Sequence, residues 1–290
     1  MEANDGVGIN RKYKDTLFRF LFGENKAAAL SLYNAVNGSS YTDEDGLEFT
    51  TLEDVIYMKF KNDVSFLFGR TLNLYEHQSS YNPNMPLRGL LYFADLYRQL
   101  ITERERLYGM QLVKIPTPRY IVFYNGDERY MQEDQVELKL SDAFDIPDES
   151  CKCEWTAQMI NINHGHNVRL MEHCKKLQDY SMFIHLIRKN SKQMDLKEAI
   201  DKAVTECIEG GILSDILSKH QNEVKDMCLT EFNEQRYTDI IRAEGRTEGE
   251  EAERVSSIRK LMEKLQKTAG DAMDLLDIPK QDQPKYLKML

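Results

Sequence analysis

No uninterrupted apolar run in the chain approaches the roughly 20 residues needed to cross a bilayer, so no membrane span is expected. The opening MEANDGVGIN carries two acids and no apolar stretch, the pattern of neither a secretory signal nor a transit peptide. Cysteine is scarce as well. The five, Cys151, Cys153, Cys174, Cys207 and Cys228, leave one over if paired and read as reduced thiols, so a cytoplasmic protein is expected. With His164 and His166 nearby, these cysteines still fit no ordinary zinc spacing. Gly245 and Gly249 lack both a preceding strand and a following Lys-Ser/Thr, which removes any nucleotide cofactor, and no Ser-centred nucleophile elbow occurs. Positive charge is in deficit too, with a formal net charge of −10. That argues against broad, non-specific coating of nucleic acid. It leaves room for a metal-dependent enzyme, because divalent cations neutralise carboxylates and bridge them to phosphate.

What the chain does have is core-forming material, with 15 Tyr and 12 Phe among 290 residues, enough for one large domain or, more naturally, two. Residues 14–37 predict a helical region with Leu17, Phe18, Leu21 and Phe22 as its stripe and Gly23 as a break. Three strands are predicted at Leu52–Phe60, Val64–Phe68 and Leu72–Gln78, with turns at Lys61-Asn62-Asp63 and Gly69-Arg70. A helix from Leu87 to about Tyr108 is expected to bury Leu90, Leu91, Ala94, Leu96, Tyr97 and Leu100. Arg119–Tyr124 reads as a central strand, and Val136–Leu140 and Trp155–Ile162 as two more. Helices are expected at 168–190, 195–209 and 212–229, then a charged helix or linker over Arg242–Arg254 and a short amphipathic helix including Leu261, Met262 and Leu265. The expected fold class is therefore α/β, a mixed sheet flanked by helices, with a mainly helical C-terminal region.

Strand alternation singles out one constellation. In a strand over 72–78, Glu76 and Gln78 project from one face and His77 from the other. A hairpin turning at Gly69-Arg70 brings Asp63 close to Glu76, so two carboxylates and an amide surround one point. Oxygen ligands of this kind suit Mg²⁺ or Mn²⁺. Gln78 has no basicity to offer, but it can orient a water or hydrogen-bond a phosphate oxygen. His77 is expected to pack in the core, and Arg88 to anchor the loop Tyr81–Pro86.

An ordered set of motifs carries a family resemblance. These are Lys14-Asp15-x-x-Phe18-x-x-Leu21-Phe22-Gly23, Asn62-Asp63-Val64-Ser65-Phe66, Tyr75-Glu76-His77-Gln78-Ser79-Ser80, Asn82-x-Asn84-Met85-Pro86-Leu87-Arg88 and Ile121-Val122-Phe123-Tyr124-Asn125-Gly126. In these the chain resembles the Rpn family of recombination-promoting nucleases, also described as putative transposases of the PD-(D/E)XK nuclease superfamily. The likeness continues through Asn161-Ile162-Asn163-x-Gly165-His166-Asn167 to about residue 235. It implies a restriction-endonuclease-like core over 1–135, a mixed then helical accessory region over 136–235, and a charged helical tail or linker over 236–290. Asp63 and Glu76 would be the metal-binding acids, with Gln78 where the generic pattern has lysine and Asp15 as an accessory on the first helix. The implied function is Mg²⁺-dependent hydrolysis of DNA, with Mn²⁺ as substitute, linked to recombination or mobile-element processing and carried out by a homodimer. Two alternatives stay open: a catalytically silent DNA-binding or assembly protein, and an RNA-directed nuclease of a toxin or defence system.

Overall fold

A computed structural model describes residues 17–50, 63–148 and 150–290, the side chains of 234–250 excepted. The first strand candidate, Leu52–Phe60, lies outside the described residues, as does Asp15. The chain begins with helices α1 (Leu17–Phe22) and α2 (Lys26–Asn37), separated near Gly23 as expected. Asn25 caps α2 by accepting from the Ala28 amide, and Gly38 ends it with φ 62°, a left-handed geometry suited to glycine. Strands β1 (Leu47–Phe49), β2 (Asp63–Phe68) and β3 (Thr71–Gln78) follow. Gly69 and Arg70 make the two-residue turn of the β2–β3 hairpin, with Gly69 at φ 58°. Asp63 is the first residue of β2 and not a turn residue. Helix α3 (Met85–Leu100) then leads to β4 (Thr117–Tyr124), β5 (Gln135–Lys139) and β6 (Thr156–Asn161).

Among the described residues these strands form a six-stranded mixed sheet in the order β1-β2-β3-β4-β6-β5. The β3–β4 and β4–β6 pairs are parallel and the others antiparallel, so the protein is α/β. The central strands are buried on both faces, which is why RYIVFY reads as a continuous apolar run. On one face Val64, Phe66, Tyr75, Ile121 and Phe123 join a core with Phe18, Leu21, Tyr180 and Phe183. On the other, Leu72, Leu74, Val122 and Met159 pack with Met85, Tyr92, Phe93 and Leu96 of α3.

Helix α3 departs from its expected orientation. Leu91 and Leu100 are exposed, and the buried stripe is Met85, Gly89, Tyr92, Phe93 and Leu96. Aliphatic content pointed to the wrong face, whereas the i, i+4, i+7, i+8 spacing of one glycine and two aromatics marks the one against the sheet. The helix also stops at Leu100, and a separate 3-10 turn covers Arg104–Tyr108.

The sheet runs across residue 135, since β5 and β6 pair within it; the boundary expected there does not separate two domains. Helices α4 (Val168–His173) and α5 (Lys175–Asn190) divide the expected 168–190 helix at Cys174, and α6 (Leu196–Glu209) matches expectation. Helix α7 (Ser214–Leu265) continues far beyond residue 229, with non-helical dihedrals at His220. The chain falls into two compact units, one ending at Phe232 and one spanning Asn233–Leu290. The second is more than a charged linker. Its core joins Val255 and Ile258 to Ala272 and Met273 of α8 (Ala269–Leu275), Ile278, and Tyr286 of α9 (Gln283–Leu287). Among the described residues no helix is long and apolar enough to cross a membrane.

Candidate active site

Register decides which side chains meet. Asp63 is the direct cross-strand partner of Glu76 in the β2–β3 hairpin, and both lie on the face toward α3. Gln78, two residues along the same face, donates from Nε2 to Glu76 Oε1 at 2.8 Å. The structure thus brings Asp63, Glu76 and Gln78 together. His77 turns to the opposite face, stacks on Phe18 at 5.3 Å and lies 2.9 Å from the Tyr180 hydroxyl. Burial lowers its pKa to about 3, so it is a neutral core group.

Glu76 has no exposed surface and sits among donors from three elements. Tyr120, on β4, donates its hydroxyl to Oε2 at 2.6 Å. Arg88, in the first turn of α3, pairs its guanidinium with Oε1 alongside Gln78. Arg88 is therefore directed at the carboxylate, where the sequence reading had it anchoring the Tyr81–Pro86 loop. The close approach of α3 to Tyr120 depends on Gly89: a Cβ there would lie 2.3 Å from the Tyr120 ring.

Asp63 is held differently. Its Oδ1 is buried with no hydrogen-bond partner among the described residues. Burial pushes the Asp63 carboxyl well above its ordinary value; repulsion from Glu76 adds to that, and Tyr92, Arg88 and Arg19 oppose it. Burial also raises Glu76, against the pull of Arg88, Tyr120 and Gln78. The donors converge on Glu76 and favour its charged form over that of Asp63. An unpartnered carboxylate oxygen beside a second buried carboxylate is the donor set that a hard divalent cation satisfies, and the pair fits Mg²⁺ or Mn²⁺. Among the described residues no group of three or more His, Cys, Asp and Glu side chains is placed to hold a metal, and Asp15 lies outside them.

Tyr92, Tyr120 and the direction of Arg88 were missed from sequence. Period-two alternation does place Tyr120 and Val122 on one face of β4, and four-residue spacing places Arg88 and Tyr92 on one side of α3. Neither pattern reveals a shared target until the strand order is known. Elsewhere, His166 pairs with Asp134 at 2.8 Å, while Cys151 and Cys153 are exposed and Cys174 is buried.

Comparison of the chain with protein-family models, with curated proteins and with solved structures gave no match in any of the three.

Proposed function

We propose that the protein is a metal-dependent DNA endonuclease with a PD-(D/E)XK-type core, as its resemblance to the Rpn family implies, and that it acts in the cytoplasm, as the reading of its cysteines as reduced thiols implies. The observation that carries this reading is the Asp63–Glu76 pair, directly opposed and with Asp63 Oδ1 buried and unpartnered. In this reading Asp63 and Glu76 hold the cation. Bound Mg²⁺ or Mn²⁺ would supply Lewis-acid polarisation of the phosphate and lower the pKa of water. Gln78 contributes an amide that holds the water or a phosphate oxygen in line, and Tyr120, whose hydroxyl stays protonated, keeps Glu76 oriented. Water attacks phosphorus as the P–O3′ bond breaks, leaving a 3′-hydroxyl and a 5′-phosphate. One such site handles one strand at a time, so cutting both strands calls for two copies of the chain. DNA recombination or mobile-element processing is the setting that the resemblance implies.

One observation favours a second reading, a catalytically silent DNA-binding or assembly protein: both oxygens of Glu76 already have donors, and an amide stands where the generic motif has lysine. Supercoiled-plasmid nicking with Mg²⁺ or Mn²⁺ separates the two, run beside EDTA, Glu76→Ala and a matched RNA. Cleavage of DNA lost in both controls is the expected result. Intact plasmid with folded, metal-supplied protein moves the assignment to the binding role, and cleavage of RNA alone moves it to an RNA-directed nuclease.

A further inference from the structure

We infer that Arg88 is an exchangeable partner of the carboxylate pair: its guanidinium holds Glu76 until a divalent cation takes that carboxylate, then turns to a phosphate oxygen of the nucleic-acid backbone. This rests on the metal-dependent reading above and adds to it the order in which the site assembles.

Two features of the geometry favour exchange. Arg88 occupies Oε1 of Glu76, so a cation coordinated by that oxygen competes with the guanidinium for the same lone pairs. The two positive charges would also repel each other strongly in a buried site, where screening by water is weak. The other donors to Glu76, Tyr120 and Gln78, are neutral and add no such repulsion. Secondly, the pair is asymmetric: a quarter of the Arg88 side chain reaches solvent and none of the Glu76 side chain does. Arg88 is the member with a route to solvent, on a long flexible stem. Once displaced, the guanidinium has the planar fork that suits a phosphate.

Cation and DNA then bind with positive coupling, because each favours the arrangement in which Arg88 has left Glu76. The test uses the full chain as wild type, Arg88→Met and Arg88→Lys. Mn²⁺ binding without DNA is read from the free-ion electron paramagnetic resonance signal. Binding of a labelled DNA duplex is read by fluorescence anisotropy with and without Ca²⁺. Arg88→Met is expected to bind Mn²⁺ at least tenfold tighter than wild type, and to lose the tenfold or greater tightening of duplex binding that Ca²⁺ gives wild type. Arg88→Lys keeps the charge but lacks the guanidinium fork that grips Glu76, so it binds Mn²⁺ a few-fold tighter. It decides the matter if the Met variant does not fold. Mn²⁺ affinity at or below wild type in the folded variants overturns the exchange and leaves the metal site standing. Absence of Mn²⁺ binding in all three proteins overturns the metal-dependent reading, and the exchange with it.

Discussion

Two neighbours on β3, Glu76 and His77, face opposite sides of the sheet and meet opposite surroundings. Glu76 is buried among donors, including a guanidinium. His77 is buried against Phe18 and Tyr180, with Glu231 3.8 Å from Nδ1, and stays neutral. A histidine with its folded pKa lowered from 6.5 to about 3 binds fewer protons in the folded than in the unfolded state below pH 6.5. Its contribution to stability is therefore complete above the unfolded value and is lost as the pH falls from 6.5 toward 3. Between pH 7 and pH 5 the loss amounts to about 2 kcal/mol, on the scale of 1.36 kcal/mol per pH unit. Urea denaturation at several pH values should show that loss in wild type and a shallower slope in His77→Gln. Equal slopes would mean that His77 is protonated inside the fold. The orientation of both residues was legible from alternation alone. The neutrality of His77 was not, because Tyr180 is 103 residues away in sequence.

At the level of elements, α3 couples packing to the site. Its first turn supplies Arg88, its second Tyr92, and between them Gly89 lets the helix settle over the Tyr120 ring. Two effects oppose each other in Gly89→Ala. Helix propensity favours alanine by about 1 kcal/mol. The added Cβ would sit 2.3 and 2.5 Å from two Tyr120 ring carbons, which forces the helix or the ring to move. Overpacking of this kind costs about 1–3 kcal/mol, so the clash prevails. Gly89→Ala should lower the denaturation midpoint and, in the double variant with Tyr120→Ala, become neutral or stabilising. A destabilisation that persists without the ring would place the cost elsewhere. Here the sequence was only half legible. The hairpin, its turn and the central strand follow from alternation and turn chemistry, so Asp63 could be set opposite Glu76 before any coordinates. The face of α3 could not, because four exposed or half-exposed leucines, Leu87, Leu90, Leu91 and Leu100, mimic a buried stripe. The face that packs contains a glycine whose value lies in what it omits.

For the molecule as a whole, composition promised two domains, and the boundary inferred near residue 135 cuts a sheet whose last two strands come later in the chain. Local pattern has no means of reporting that β6 inserts between β4 and β5. The division between compact units lies at Phe232 and Asn233, within α7 beyond its kink at His220 and close to the boundary at 235 that the family resemblance implied. Acids and bases are nearly balanced over Asn233–Leu290, so almost all of the net −10 belongs to the sheet-bearing unit, and removing the C-terminal unit relieves little of it. Truncation therefore reports on packing more than on charge. A chain ending at residue 250 keeps Glu231 beside His77 and keeps Leu229 and Phe232 against the main core. Its main thermal transition should fall within about 2 °C of the full chain, since about 1 kcal/mol shifts a unit of this size by only a few degrees. A chain ending at residue 228 loses all three side chains; Leu229 and Phe232 are partly buried, so each forfeits part of the about 1.5–3 kcal/mol of a fully buried large apolar group, and the midpoint should drop by roughly 5 °C. Should the 250-residue chain unfold as early as the shorter one, the sheet-bearing unit would depend on Asn233–Leu290 for its stability, and the separate core around Ile258 and Met273 would have to contribute to both.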